Sequence, residues 1–458
     1  MIRVFRHYIN AKVVLQMIFD VGFVLVALSL IGANFPRSPI ATATLVSHGL
    51  PLALWTFLVG ALAGVYQSSV NPSVQRSIAK ACVAALLAAP LAYAVGLVLD
   101  RIAGTGGMQY AAVGTVLTVI VYRTASAHLG GALVTRSRIL VLGTGLVAKQ
   151  VRDSLLRSNP RAEIIGFFPS PNEQDHAVPR AQIVEHTASL ATTAARARVD
   201  EVVVALTERR SGSMSLRDLL DCKISGIRVS DVSTHFEKRL GQIKLDYVNA
   251  GWLIFGDGFN QGFWRTTIKR AFDLLSAIAL LIVFAPLMLV TMLLIALETP
   301  GPIFYRQQRV GLNGKPFDVV KFRSMRSDAE ADGQPRWASA ADDRITRIGR
   351  AIRRVRIDEL PQLWNVLKGE MSLVGPRPER PFFVDTLTKD IPYYAVRHSV
   401  KPGVTGWAQV RYDYGSTVED AKHKLQYDLY YVKNHTLFLD LLIMAETVTV
   451  VLTGKGAR

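Results

Sequence analysis

Four apolar segments at the start of the chain constrain its fold more than any other feature. Each is about 20 residues long, enough for a helix to cross a hydrocarbon core roughly 30 Å thick. They cover residues 13–33, 45–66, 78–99 and 110–129. Few charges interrupt them, apart from Asp20 and Arg123. A transport path would need a fuller set of intramembrane ionisable groups. We therefore predict a four-helix transmembrane bundle over residues 1–136 that serves as an anchor.

Positive residues orient this bundle. They occur before the first segment, between the second and third, and after the fourth: Arg3, Arg6, Lys12, Arg76, Lys80, Arg136 and Arg138. The other two loops carry one arginine each, Arg37 and Arg101. The positive-inside rule thus predicts that both ends of the bundle face the cytoplasm.

The whole chain is basic and apolar. Its formal net charge is +17 over 458 residues, and half of its residues are hydrophobic. In a membrane protein, such a charge favours anionic lipid and phosphorylated substrates as partners, and we expect no nucleic acid. The two cysteines, Cys82 and Cys222, predict neither a disulfide framework nor a cysteine metal site.

Residues 137–262 have the pattern of an α/β domain. Four apolar strand-like stretches, at 138–142, 163–168, 199–206 and 227–232, alternate with helical stretches, which predicts a parallel sheet. The Gly143–Ala148 loop follows the first stretch and resembles the dinucleotide-binding fingerprint of a Rossmann-like domain. The acidic residue expected after the second strand is missing. A structural or regulatory module and a true nucleotide site therefore both stay open.

A second kind of apolar segment covers residues 274–297 and contains no charge. Pro286 lies at its centre, where it removes a helical hydrogen bond and favours a kink. Basic residues flank the segment on both sides, so no charge asymmetry drives it across the membrane. We predict a re-entrant helix over about 271–297, with a break at Pro286, against the alternative of a fifth span. Two arms of about 12 residues would each reach roughly 18 Å into the bilayer.

Residues 303–411 are rich in groups that suit phosphate binding. Lys321 and Arg323 lie two residues apart in a strand-like stretch, and six arginines follow between residues 344 and 356. Arginine binds phosphate oxygens in a bidentate manner, although some of the six would simply face solvent or lipid. Asp358 and Glu359 end this basic run just before a helical pattern. We expect the carboxylate of Asp358, near a helix N-terminus and arginines, to be strongly ionised.

The pair Asp358 and Glu359 has a second interpretation, since an acid pair before a helix is commonly an N-cap with a first-turn acid. Farther along, Gly375-Pro-Arg377-Pro378 fixes an arginine between two prolines, which suits either a diphosphate clamp or a rigid turn. The last apolar stretch, residues 437–452, contains Asp440 and Glu446, which favours an in-plane amphipathic helix over a span.

Taken together, three motifs resemble the bacterial sugar transferases, or polyisoprenyl-phosphate hexose-1-phosphate transferases. They are KFRSM at 321–325, DELPQLWNVLKGEMSLVGPRPE at 358–379 and KPGVTGWAQV at 401–410. The four spans and the Rossmann-like domain are similar to the large-form members, which start exopolysaccharide or O-antigen chains. The resemblance is strongest over residues 263–458, which we interpret as a mixed α/β catalytic domain. Family members often have Ser-Pro at the helix break, whereas this chain has Ala285-Pro286.

The resemblance implies a mechanism. Asp358 would be the nucleophile that attacks the sugar-bearing phosphate of a UDP-sugar, releasing UMP and forming an aspartyl–phosphosugar intermediate. A polyprenyl phosphate would then take the phosphosugar. Glu359 would bind Mg²⁺, and Lys321, Arg323, Arg353 and Arg377 would bind substrate. The enzyme would lie in the bacterial inner membrane as a multi-pass protein, with its catalytic domain facing the cytoplasm.

Two other functions stay open at this point. A membrane-bound sugar-nucleotide oxidoreductase or epimerase would use the Gly143–Ala148 loop, although no YxxxK motif occurs nearby. A non-catalytic scaffold of polysaccharide assembly is the other. The sequence leaves undecided the sugar, the polymer, the formation of a homo-oligomer and the role of the middle domain.

Overall fold

The computed structural model describes residues 262–326 and 344–453 nearly completely, residues 137–248 with short gaps, and residue 259 and shorter stretches between residues 2 and 129. The chain divides into two compact units. Residues 1–66, 83–116 and 249–458 form the first, and residues 67–82 and 117–248 form the second.

The N-terminal part is described only in pieces. Strands β1 (Ile2–Val4) and β2 (His7–Ile9) pair in an antiparallel manner. Helix α1 (Met108–Leu129) covers the fourth predicted membrane segment. Only parts of the other three segments lie within the described residues, so the four-helix bundle stays a prediction.

The second unit contains the parallel sheet that the strand pattern predicts. Its strands are β3 (Ser137–Leu142), β4 (Ala162–Phe168), β5 (Glu201–Val204) and β6 (Arg228–Asp231). They lie in the order β4-β3-β5-β6, and every pair is parallel. The helices of this unit are α2 (Leu146–Ser158), α3 (Leu190–Arg196), α4 (Leu216–Ile224) and α5 (Val232–Leu240).

Alternate residues of β3 build two hydrophobic layers on this sheet. Ile139 and Val141 belong to one buried cluster, whereas Leu140 and Leu142 belong to the other. Successive side chains of a strand point to opposite faces, so an entirely apolar strand is the expected sequence for a sheet that is covered on both sides.

The first unit contains the longest helix, α6 (Phe263–Glu298), with 36 residues. Among the described residues it is the one helix long and apolar enough to cross a membrane. Pro286 lies inside this helix, with helical structure on both sides of it, and the predicted bend at Pro286 stays a prediction. A proline removes one amide donor, and a long helix can tolerate this loss by bending without ending.

The elements that follow α6 in the chain contact both of its end portions. Strands β7 (Phe304–Val310) and β8 (Pro316–Phe322) form an antiparallel hairpin. Short strands β9 (Ser372–Val374) and β10 (Gly403–Thr405) pair in parallel. The helices are α7 (Arg347–Arg354), α8 (Gln362–Lys368), α9 (Pro381–Asp390), α10 (Trp407–Arg411), α11 (Val418–Asn434) and α12 (Leu437–Thr453).

Helix α12 covers the last apolar stretch, and both of the acids in that stretch are part of it. Asp440 and Glu446 are both buried, and they pair with Lys269 and Arg411. Leu441 is instead exposed. The two acids therefore attach the helix to the protein, which the charge pattern alone does not reveal.

Candidate active site

The two acids of the DE pair lie on a tight turn between α7 and α8. A single 3₁₀ turn, Ile357–Glu359, carries both, and both are buried. Arg356 precedes the turn in the left-handed region, at φ 61°. This conformation is uncommon for a residue with a side chain. It ends the helical path of α7 and directs the chain inward, so that both carboxylates enter the unit.

Glu359 is the centre of an ionic cluster. Its Oε1 atom lies 2.8 Å from the guanidinium of Arg377, 3.1 Å from Nζ of Lys321 and 4.0 Å from the guanidinium of Arg356. Burial alone would raise the pKa of Glu359. The positive charges of Arg377, Lys321 and Arg356 outweigh burial and hold this pKa well below its usual range. Glu359 is therefore ionised at neutral pH.

Asp358 has a different environment from its neighbour. Its Oδ1 atom is buried and accepts no hydrogen bond from any residue that the structure describes. Burial, followed by the negative charge of Glu359, raises the pKa of Asp358 to about 6, against the opposing effect of Lys321, Arg353 and Arg377. The expectation that the nearby cations keep the pKa of Asp358 low is therefore wrong, because it counted the cations and omitted burial.

Strand β8 and helix α8 hold Lys321 against Glu359. The buried side chain of Asn365 on α8 accepts a hydrogen bond from the amide of Val320 at 3.1 Å and donates one to the carbonyl of Asp318 at 2.7 Å. These contacts reproduce those of a neighbouring strand and fix β8 beside α8. Lys321 follows directly, so its position depends on Asn365.

Arg377 lies in a segment, 376–379, whose backbone is fixed by hydrogen bonds. All four successive carbonyls of this segment accept one. Backbone amides supply two donors, Gly403 to Pro376 and Val310 to Glu379. Guanidinium groups supply the other two: Arg397 donates to the carbonyl of Arg377 at 2.9 Å, and Arg309 to that of Pro378 at 3.2 Å. The prolines of the motif are thus part of a fully bonded loop.

Two predicted cations are placed differently from Lys321 and Arg377. Arg353 is on the last turn of α7, and its charge lowers the pKa of Asp358. Arg323 is buried and donates to the carbonyls of Thr299 and Pro300, at 2.6 and 3.0 Å. This corrects its assignment to substrate, because those donors join the end of α6 to the end of β8.

Several residues that matter to this site were not predicted from the sequence: Arg309, Asn365, Arg397 and Asp428. Only Asp428 leaves a signal, since it is an acid within the apolar face of a helical pattern that includes Leu425, Leu429 and Val432. The others act through contacts between segments that are distant in the sequence, which no local pattern reveals.

The carboxylates of the DE pair fit a magnesium site that uses few protein ligands. No group of three or more His, Cys, Asp or Glu side chains lies together in the part of the chain that the structure describes. Magnesium commonly takes only one or two carboxylates and completes its shell with phosphate oxygens and water. The ionised carboxylate of Glu359 is compatible with such a site.

In the second unit, a carboxylate side chain of the protein itself binds the backbone amides of the glycine-rich loop. The backbone amides of Thr144 and Gly145 donate to the carboxylate of Glu173, at 2.6 and 2.9 Å. These amides precede α2, where a dinucleotide's pyrophosphate would bind in the fingerprint. The contact disfavours the oxidoreductase alternative.

A family model for bacterial sugar transferases matches residues 264–454, which include every residue of the ionic cluster. A glucose-1-phosphate transferase from Caulobacter vibrioides, named as acting from UDP-glucose to undecaprenyl phosphate, is 46% identical over 193 residues, or 41% of this chain and 71% of its own. The chain belongs to the bacterial sugar transferase family.

Other members of the bacterial sugar transferase family extend this comparison. The UDP-N-acetylgalactosamine-undecaprenyl-phosphate N-acetylgalactosaminephosphotransferase of Aeromonas hydrophila is 42% identical over 261 residues, 57% of this chain and 61% of its own length. The exopolysaccharide production protein PSS of Rhizobium leguminosarum is 44% identical over 199 residues, 41% of this chain and 98% of its own. The chain thus spans less than two thirds of the Aeromonas relative.

Proposed function

We propose that this protein transfers a sugar 1-phosphate from a UDP-sugar to undecaprenyl or a related polyprenyl phosphate, as the first step of a surface glycan. An oxygen of Asp358 attacks the sugar-bearing phosphorus. The bond between this phosphorus and the oxygen bridging to UMP breaks, and UMP leaves. A phosphate oxygen of the polyprenyl lipid then attacks the same phosphorus, which frees Asp358 and gives the lipid diphosphosugar. Each step exchanges one P–O bond for another.

The single observation that carries this proposal is the buried, unpartnered Oδ1 of Asp358 beside a cluster of cations. Glu359 takes the direct ionic contacts, so Asp358 stays available for attack. With a pKa near 6, Asp358 is ionised at neutral pH, while Glu359 is held ionised by its cations. Neighbouring groups whose pKa values are pushed apart commonly have different catalytic roles.

The cations have roles that follow from their positions. Lys321, Arg353, Arg356 and Arg377 together outnumber the two acids, so the site attracts a diphosphate. Prepositioned charge of this kind stabilises negative charge on the transferring phosphoryl group. Glu359 would hold Mg²⁺ together with substrate oxygens, and a bound ion would add positive charge at the phosphates.

Helix α6 supports a placement of the site at the membrane. Its buried residues, Asp273, Ala277, Thr291 and Ile295, occur in two groups, and no residue between 278 and 290 is buried. The exposed middle is apolar and suits lipid. The two docked ends suit a helix that enters and leaves the bilayer on one side.

The contacts of α6 support a bend. Arg270 donates to the carbonyls of Val366 and Leu367 on α8, whereas Ile295 packs in one cluster with Phe322 of β8. Asn365 joins α8 directly to β8. A straight helix would hold Arg270 and Ile295 about 38 Å apart, whereas both contact this one region. The proposed re-entrant helix therefore bends within its exposed middle, which contains Pro286.

Release of UMP tests the transfer. Purified protein with Mg²⁺ and undecaprenyl phosphate is given UDP-N-acetylgalactosamine or UDP-glucose, the donors named for its relatives. We expect Asp358→Asn to abolish release and to trap no labelled phosphosugar. Asp385→Asn, a matched change at an exposed residue of α9, should behave as wild type. Equal activity of Asp358→Asn would end the nucleophile assignment.

Side-specific labelling tests the re-entrant helix. Single cysteines replace the exposed residues Trp264 and Lys315, on either side of the apolar segment, in a background without Cys82 and Cys222. An impermeant maleimide applied to oriented vesicles should label both from the same face. Labelling from opposite faces would mean that α6 spans the membrane.

A further inference from the structure

A buried ion pair lies behind the loop that carries Arg377. Arg397 belongs to the 3₁₀ segment Tyr394–Ser399, and Asp428 lies in the middle of α11. Their nearest charged atoms are 2.8 Å apart, and both side chains are at most 5% exposed. A fully buried pair contributes little to stability compared with an apolar replacement. Its presence next to the ionic cluster therefore suggests a role in positioning.

Arg397 uses its two terminal nitrogens for different partners. One donates to the hydroxyl of Tyr394 at 2.7 Å, and the other donates to the carbonyl of Arg377 at 2.9 Å while facing Asp428. Its guanidinium also lies 5.1 Å from the centre of the Tyr394 ring. The planar group is thus fixed on several sides, and it transmits this position to the backbone of Arg377.

The side chain of Arg377 begins from that fixed backbone and reaches Glu359 at 2.8 Å. Pro376 and Pro378 restrict rotation on either side of it. The hydrogen bond from Arg397 to the carbonyl of Arg377 restricts rotation of the peptide plane between Arg377 and Pro378. A lysine at 397 keeps the charge, but its single nitrogen cannot occupy the two positions from which Arg397 donates to Tyr394 and to the carbonyl of Arg377.

We propose that Arg397, held by Asp428, is a positioning residue that sets the catalytic placement of Arg377. This inference rests on the proposed transfer reaction, in which Arg377 binds the donor diphosphate. Neither residue contacts the two acids of the DE pair. Their effect on catalysis acts through the backbone of residue 377 alone.

A double-mutant cycle tests this inference. Arg397→Lys is measured in wild type and in Arg377→Lys, with single-turnover formation of the labelled phosphosugar–protein adduct as the readout. A displacement of about 1 Å at a catalytic group can cost roughly a hundredfold in rate. We expect Arg397→Lys to slow wild type by about ten- to hundredfold and to slow Arg377→Lys by less than about twofold. Additive losses, as a purely structural role predicts, would overturn the proposal.

A matched arginine controls for stability. Arg411 also pairs with a buried acid, Glu446, and it lies over the Trp407 ring at 4.3 Å, but its described contacts do not involve segment 376–379. Arg411→Lys should keep wild-type turnover, and its melting temperature should be no lower than that of Arg397→Lys, because the Arg411 side chain is 41% exposed and that of Arg397 is 5% exposed. A cavity of about 30 Å³ beside Arg397 and Asp428 leaves room for water after the change. If Arg397→Lys melts far below the control, Asp428→Asn takes its place in the same cycle.

The two proposals fail separately. Wild type that forms no adduct and releases no UMP would reject the transfer reaction itself. Active wild type with an Arg397→Lys variant as fast as Arg411→Lys would reject only the positioning role.

Discussion

The change Asn365→Asp replaces one NH₂ group by an oxygen at the point where α8 holds β8. The amide nitrogen of Asn365 donates two hydrogen bonds, to the carbonyl of Asp318 and to the carboxylate of Glu370, both at 2.7 Å. Its oxygen, which accepts from the amide of Val320, keeps its role. The substitution therefore removes two donors without changing the size or shape of a fully buried side chain.

The size of the effect follows from those two bonds. A hydrogen bond to a carbonyl contributes about 1 kcal/mol, and one to a charged group contributes about 2 kcal/mol. We expect the free energy of unfolding to fall by about 3 kcal/mol, and repulsion between the new carboxylate and Glu370 adds to this loss. For a folding unit of this size, 1 kcal/mol lowers the melting temperature by about 2 to 4 °C, which gives about 6 to 12 °C in total.

Thermal unfolding of the full chain in detergent at pH 8 measures this loss. UMP release should fall with it, because β8 carries Lys321. The double variant Asn365→Asp with Glu370→Gln returns one donor to the contact. It should recover about half of the loss in melting temperature. A melting temperature within 2 °C or so of wild type for Asn365→Asp, or no recovery in the double variant, would refute the reasoning.

Two more predictions concern the ends of α6. Lys269→Met leaves the fully buried Asp440 without the ammonium at 2.8 Å. Breaking a buried pair costs about 3 to 5 kcal/mol. Thermal unfolding should show the loss, and adding Asp440→Asn should recover much of it; no recovery would show that the pair is not the cause. Glu298→Gln weakens the carboxylate bonds to the first amides of α7, at Arg347 and Ile348. It should lower the free energy of unfolding by about 1 kcal/mol, and an unchanged unfolding curve would contradict this.

The sheet of the second unit was predictable because its signal is local. Apolar runs such as residues 138–142 and 163–168 became β3 and β4 almost without change. A run that is buried on both faces needs no knowledge of its partners to be recognised. Turn residues and alternating helical stretches then suffice to predict parallel pairing.

The sequence predicted which residues belong to the site, but not their contacts or their burial. The motifs identify Lys321, Asp358, Glu359 and Arg377, and the structure brings Lys321 and Arg377 to Glu359. Arg323 does not join these residues, because β8 ends at Phe322. Side chains alternate regularly only within a strand, so the pattern that places Lys321 does not extend to Arg323. The pKa of an acid also depends on burial, which a list of nearby charges does not contain.

In the proposed reaction, the two adjacent acids have different roles in one cluster. A nucleophilic carboxylate must carry its charge at neutral pH, yet each direct hydrogen bond lowers its electron density at the attacking atom. Here Glu359 receives the short contacts from Lys321 and Arg377, whereas Asp358 experiences their charges without a bond to its Oδ1. Glu359, with the longer side chain, thus keeps the cations in place. Asp358, with the shorter one, keeps a free oxygen close to these positive charges. Exchanging the two acids would place the free oxygen and the ionic contacts on the wrong residues, so the proposed reaction depends on the order Asp-Glu.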